Sequence, residues 1–466
     1  MESHAWRSGA ERHRCMPQSL LIVPLSCLAL LAACGGGGTG GADIQAATEA
    51  LRSGDAATPA DAGPTGTAIP ASYTLTVIEA PEGVMNGHVG ARKVNSKGQV
   101  IGSYDFGIFP GDKVAKFGYV YSMAAGFQAL DAENTSIQSL PQDINEDGLV
   151  VGSTNGFRPD GSTFDSRAFV WSLAAGKTEL LGPDASVLSS FADLVTDSGI
   201  VAGRRCLAAG CVVFQQDVST SERRDYRDLN VVNTASPSTA WINEAGTMLG
   251  FSGSSDATSR LATVSQGGTV APLQPELSAA DAQPDYIADN GTVFFSALHA
   301  VGDLKAGAVA VVEGVAQNVG RGIAPSPSGT EQALLTAFNG SGEAVGFDLP
   351  DGPGPDAQPF GFFWSPAGGA VPIKIEGQET DPRLINKGGL VAGTRGSRQF
   401  EGPPFLWARN SGVLIEPLIV NLPAGRHLKS VHALSDAGHV VGSLDDDELV
   451  LLTPTALCPP TPAATP

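Results

Sequence analysis

The chain is poor in the residues that usually announce chemistry. It holds six cysteines and seven histidines in 466 residues, and it carries no Gly-x-Ser-x-Gly elbow, His-Glu-x-x-His helix, phosphate loop or Cys-x-x-Cys pair. Those absences remove the sequence signatures of the common nucleophilic, zinc, nucleotide and dithiol sites. Basic residues are also scarce: 28 Lys and Arg stand against 48 Asp and Glu, a net charge of −20. Such a surface repels phosphate backbones, so nucleic acid is not an expected partner. A long apolar run occurs at the N-terminus, from Leu20 to Ala33, and it is interrupted by Pro24 and Ser26.

What the chain has instead is a repeat. An apolar residue, a short polar residue, two turn residues, Gly and a β-branched run recur eight times, with the glycines at Gly98, Gly148, Gly199, Gly246, Gly291, Gly342, Gly389 and Gly438. The intervals run from 45 to 51 residues, the period of a repeat array. Three residues before each glycine stands Asn in five copies (Asn95, Asn145, Asn243, Asn339, Asn386) and Thr196, Ala288 or Ser435 in the others. A short polar side chain there bonds the backbone of the turn it opens, and Gly supplies the left-handed residue of a bulged three-residue hairpin loop. Each copy therefore reads as a tight hairpin between strands buried on both faces.

A third strand follows, as in Phe169-Val170-Trp171 and Phe362-Phe363-Trp364, then a fourth, as in Val413-Leu414-Ile415. Four short strands cannot bury both faces of their own sheet, so neighbouring sheets must stack, and radial stacking gives a β-propeller. The last copy stops after its third strand, Leu449 to Thr453, while an orphan strand, Tyr73 to Ile78, precedes the first copy. Joining these two closes a ring. The expected fold is all-β: an eight-bladed propeller of four-stranded antiparallel blades, completed by the N-terminal strand. An open solenoid is the rival arrangement, and it would need caps at both ends.

The Ile-Asn-x-x-Gly-x-Val-x-Gly hairpin followed by an aromatic strand resembles the HAF repeat of exported bacterial proteins, over roughly residues 72 to 454. The triplet that names the repeat is degraded here, Arg167-Ala168-Phe169 coming closest, and no copy keeps its His. The resemblance implies a propeller-like fold and export, and brings no catalytic residues.

The N-terminal segment agrees with export. Arg7, Arg12 and Arg14 precede the apolar run, which ends in Leu31-Ala32-Ala33-Cys34-Gly35. That ending resembles the bacterial lipobox, whose Cys is acylated; a plain signal cleaved near Ala33 is the alternative. Several acyl chains on Cys34 would hold the protein on a membrane where one would not. Gly35 implies, by resemblance to bacterial lipoprotein sorting, the outer membrane. The expected layout is a lipoprotein signal over 1–33, a low-complexity tether over 34–71, the propeller over 72–454 and an unpacked tail over 455–466.

Cys206 and Cys211 bracket a hairpin end in the third copy and read as a disulfide, or else as two small buried thiols; Cys458 is the odd thiol. Asp143-Ile144-Asn145-Glu146-Asp147-Gly148 matches half of a calcium loop but ends at Thr154 where Glu belongs. The acidic run Asp445 to Glu448 reads as a solvated turn or a cation site, and His432 and His439 lie across one hairpin. No metal or other cofactor is expected.

The longer loops between second and third strands carry Tyr104, Phe106, Phe109, Phe157, Arg158, Phe164, Arg395, Arg398 and Phe400. Exposed aromatics and arginines on scaffold loops are where binding is usually built, so these are the candidate binding face. The expected function is a monomeric, non-enzymatic module binding a protein or a glycan. The alternative is a polysaccharide hydrolase or lyase, which convergent carboxylates at the channel mouth would favour.

Overall fold

The computed structural model describes residues 68–457, except 82–83, 110–112, 132–136, 158–162, 182–185, 209, 227–228, 231–240, 253–259, 274–275, 279, 321–331, 350–359, 397–401 and 409–410. Eight antiparallel sheets succeed one another along the chain. Blade 1 spans 84–129, blade 2 137–179, blade 3 187–226, blade 4 229–272, blade 5 282–318, blade 6 332–372 and blade 7 380–414. Blade 8 takes three strands from 428–457 and its fourth from Pro70–Val77.

All eight turn glycines have φ between +71° and +88°, a conformation that a Cβ penalises. In each copy the glycine N–H donates to the carbonyl of the residue that opens the turn. That residue's own N–H reaches the carbonyl four positions on, as in Gly148 to Asn145 and Asn145 to Leu149, both 3.1 Å. This is the bulged hairpin loop expected from the sequence.

Closure is antiparallel, with Tyr73 opposite Pro454, Leu75 opposite Leu452 and Val77 opposite Val450. Tyr73 is fully buried and its hydroxyl donates to the Gly438 carbonyl at 3.0 Å. The outer edge of this strand is capped by Asn421, whose amide bonds the Leu75 N–H at 2.7 Å and carbonyl at 2.9 Å, so part of its exposed edge is already satisfied.

The apolar core lies between blades. Ile101 and Val120 of blade 1 pack on Ile144, Val150, Phe169 and Trp171 of blade 2. Val94, Val100 and Tyr119 of blade 1 pack on Ala433, Val441 and Leu451 of blade 8, which seals the ring. Third-strand aromatics thus serve blade-to-blade packing, for example Trp364 of blade 6 against Phe294 on the second strand of blade 5, with centroids 5.6 Å apart. Blade 4 is irregular, because Leu229–Asn230 and Trp241–Ile242 both pair with the strand Met248–Ser252.

Candidate functional site

Within each blade the first strand lies innermost, and the ends of all eight first strands, with the turns that follow them, surround a cavity of about 240 Å³ on the ring axis. Its rim is formed by the residue after the turn opener: Glu146, Asp197, Glu244, Asp289, Lys387 and Asp436 all line it, and Gly340 takes the same place in blade 6. Five of these carry carboxylates, and each accepts a backbone N–H from the preceding blade. Glu146 accepts from Ser96, Asp197 from Glu146, Glu244 from Asp197, Asp289 from Glu244 and Asp436 from Lys387, at 2.7–2.9 Å. Burial raises the pKa of Glu244, and the charges of Asp197 and Asp289 add to the effect.

The turn asparagines make a second ring. Asn145 is 3 % exposed; its Oδ1 accepts the Asp147 and Leu149 N–H of its own turn, while its Nδ2 donates to the Thr196 carbonyl of blade 3 at 3.0 Å. Asn95, Asn243, Asn339 and Asn386 donate in the same way to Asn145, Ala288, Asn386 and Ser435. The sequence reading accounted for the bonds within the turn and missed the bond to the next blade. Where Ala288 replaces Asn, the Asp289 N–H donates to the Gly340 carbonyl at 2.9 Å and Asn290 Nδ2 to Ser341 at 2.8 Å.

Below the rim lies a tier that sequence reasoning did not find. In seven blades the first strand has a β-bulge at one position, three residues before the turn opener. The residues skipped by the pairing register are Arg92, Gln142, Asp193, Asp285, Thr336, Arg383 and His432. Every one is polar; the equivalent position of blade 4 lies outside the described residues. A bulge frees one residue from the ladder and re-aims its side chain. Arg92, Arg383 and His432 are exposed and the other four half-buried, and none of the seven lines the axial cavity.

The tier is electrostatically coupled across blades. Burial pushes the Asp193 carboxyl up, opposed by Arg204 and, from blade 1, by Arg92. Burial pushes Asp285 up to about 6, opposed by the Ser296 hydroxyl that donates to it at 2.7 Å. His432 is crowded by protein although water reaches it; this desolvation lowers its pKa and the Arg383 charge lowers it further.

The residues singled out from the sequence fall elsewhere. Tyr104 is a correction: it lies in the strand Val100–Phe109, only 6 % exposed, with its ring against Phe117 and Phe127 at 5.9 and 5.4 Å. The reason is that pairing continues past it, Phe106 opposite Ala115 and Phe109 opposite Lys113, so an expected loop is an extended hairpin. Phe106, Phe109, Phe157 and Phe164 likewise occupy strands, and their side chains lie outside the described residues, as do Arg158, Arg398 and Phe400. Arg395 is half-buried and paired with Glu376. Cys34 and Cys458 also lie outside the described residues. Cys206 and Cys211 face each other across their hairpin and are joined as a disulfide.

The possible cation sites are occupied by the protein's own groups. Asp143 holds Lys93 and the Val195 N–H, and Asp147 pairs with Lys97. Arg426 bridges Asp445, Asp446 and Glu448, and Lys429 takes Asp447. His432 engages Ser430 and Ser443, whereas His439 engages Ser435.

No family model and no curated relative matches the chain. Solved structures do. The β-propeller domain of the Trilobed protease from Pyrococcus furiosus aligns with TM-score 0.43 at 8% identity, over 72% of this chain and 100% of that one. Oligogalacturonate lyase in complex with manganese gives 0.37 at 11%, over 83% and 97%. TolB from Acinetobacter baumannii gives 0.33 at 12%, over 77% and 80%. The propeller scaffold is shared with peptidase, lyase and TolB proteins, and at these identities the likeness concerns the fold alone.

Proposed function

We propose that the chain is an exported lipoprotein of the HAF-repeat type, anchored through Cys34 in the bacterial outer membrane, whose propeller binds a ligand at the central channel without transforming it. The observation that carries this reading is the bulge tier. Seven blades carry a bulge at the same place with a polar side chain on it; Arg92 and Thr336 spend theirs on carbonyls of the next blade, while Asp285 has only the Ser296 hydroxyl of its own blade and is the group left for a ligand. The five rim carboxylates do not weigh toward hydrolysis, because each already holds a neighbouring blade's backbone N–H.

One observation favours a second reading, a polysaccharide hydrolase or lyase. Asp285, held up to about 6, has the protonation behaviour of a general acid, and Asp193 is a second carboxyl in the same tier. A panel of oligosaccharides and peptides incubated with the full chain, read by calorimetry and by mass spectrometry of the ligand, separates the two. Saturable heat with every ligand recovered intact supports binding. Shortened or unsaturated saccharides would establish the second reading and overturn the first, and no retention of any ligand would overturn both. Conversion of Cys34→Ala should move the protein from the membrane to the soluble fraction; unchanged partitioning would remove the anchor.

A further inference from the structure

Among the described residues, hydrogen bonds between turns tie every pair of neighbouring blades but one. Asn95 Nδ2 of blade 1 donates to the Asn145 carbonyl of blade 2 at 3.0 Å, and the Ser96 N–H donates to Glu146 at 2.9 Å. Blades 2 and 3, 4 and 5, and 7 and 8 repeat both bonds. Blades 6 and 7 keep the amide, which runs from Asn339 to the Asn386 carbonyl at 2.9 Å. Where the opener is Thr196 or Ala288, substitutes appear. The Asp197 N–H on Glu244 and Gln215 Nε2 on the Gly246 carbonyl join blades 3 and 4. The Asp289 N–H and Asn290 Nδ2 join blades 5 and 6 through the carbonyls of Gly340 and Ser341.

The junction of blades 8 and 1 has neither bond and no substitute among the described residues. Its opener is Ser435, whose hydroxyl stays in its own turn and accepts the His439 N–H at 3.0 Å. The residue after the opener in blade 1 is Ser96, which offers the Asp436 N–H no carboxylate. Away from the turns, the Thr453 hydroxyl meets the Met123 sulfur at 3.9 Å. What holds this junction is the apolar face of Val94, Val100 and Tyr119 on Ala433, Val441 and Leu451. Each of the other seven junctions has such a face as well, so packing does not set this one apart. Apolar contact is non-directional and survives a small displacement, whereas a hydrogen bond from a fixed amide weakens steeply once its geometry is lost.

Both sides of the junction line the axial cavity, Lys93 and Val94 from blade 1 and Leu434, Ser435 and Asp436 from blade 8. Blade 8 is also the blade whose fourth strand comes from the other end of the domain. We infer that blades 8 and 1 part in the folded protein, widening the mouth of the axial cavity, while the other seven junctions stay closed. Local opening of this kind is drawn from the least tied part of a fold. The inference goes beyond the binding reading above, and its test uses no ligand, so the two stand or fall separately.

The test is maleimide labelling of single cysteines in the full chain, with Cys458→Ser removing the odd thiol. Val441 and Ile101 hold the same place in their blades, the second residue of the second strand, and each is fully buried against the next blade. Val441→Cys should label about tenfold or more faster than Ile101→Cys, the effect of two missing hydrogen bonds of ordinary strength. Ser96→Glu with Ser435→Asn gives this junction the two bonds found elsewhere. It should slow Val441→Cys to the rate of Ile101→Cys and leave Ile101→Cys unchanged. Asn95→Ser with Glu146→Ser copies the untied condition into the junction of blades 1 and 2, and should speed Ile101→Cys. Leu451→Cys against Val120→Cys repeats the comparison on the third strands if a second-strand cysteine unfolds the chain. Equal labelling at the two junctions, or a Val441→Cys rate that the added bonds do not change, would overturn the inference.

Discussion

The rim and the bulge tier lie close together along the first strands, and two carboxylates within them, Asp197 of the rim and Asp285 of the tier, are used differently. On the rim, carboxylates and amides are committed to the neighbouring blade: Asp197 accepts the Glu146 N–H, and Asn145 donates to the Thr196 carbonyl. In the tier, Asp285 keeps a raised pKa and a single hydroxyl partner, and its charge adds nothing to blade cohesion. The comparison teaches that an acidic ring is not itself a site. What distinguishes the two is whether the group's hydrogen bonds close the fold or leave a charge unanswered.

The comparison can be broken first by opening the ring. Deleting the strand Pro70–Val77 exposes the edge of Leu449–Leu457 and should cost more than about 5 kcal/mol, a large share of a domain's stability. Both regions should be lost together in a broad melting transition; a sharp transition near the original temperature would show that closure does not hold them. Next, Asn145→Ala removes a buried latch of three hydrogen bonds and should cost about 3 kcal/mol in urea unfolding. Asn145→Asp keeps the acceptor and loses the donor, so a smaller loss would apportion the turn and cross-blade roles.

The tier should respond in the opposite direction. Asp285 has its folded pKa raised from 3.8 to about 6, so its neutral form is favoured and the benefit is complete below pH 3.8. That benefit disappears as pH rises through 6, and the ionised carboxylate then weighs against folding. Asp285→Asn should therefore raise stability by about 3 kcal/mol at pH 8 and by nothing near pH 3.5, measured by thermal melts across pH. A variant less stable at pH 8 would place Asp285 with the rim. Away from the channel, Cys206→Ser with Cys211→Ser should cost about 2 kcal/mol at most, since the closed loop is short. The smallest effect is expected at the rim itself. Glu146→Gln keeps an acceptor for the Ser96 N–H and should change stability by less than about 1 kcal/mol, with no effect on ligand affinity.

Much of the fold was legible because its causes are local. The Asn-x-x-Gly turns are built from bonds between residues two to four apart, such as Asn386 Oδ1 with the N–H of Gly388 and Leu390. The closing strand was visible as an odd strand at one end and a missing one at the other. The candidate site was less legible. The second use of the turn asparagine reaches a residue 47 to 51 positions on in four of the five copies, as from Asn339 to Asn386 and from Asn145 to Thr196. Acidic residues after the opener do recur at the repeat period, and that signal was available. The expected binding face failed at Tyr104 because a strand pair extends as far as its hydrogen bonds continue, and an aromatic-rich segment does not say where they stop.

By itself the sequence determined the unit and its number: a hairpin whose backbone is dictated by Gly and a short polar residue, repeated eight times, with one strand left over to close the circle. Only the tertiary structure decided which side chains meet. Arg92 reaches the Gln142 carbonyl and Asn145 the Thr196 carbonyl because the blades stack side by side, and Arg92 leaves its ladder because a bulge frees it. Partners between blades follow from how the units stack and from the register of each strand, both properties of the packed whole.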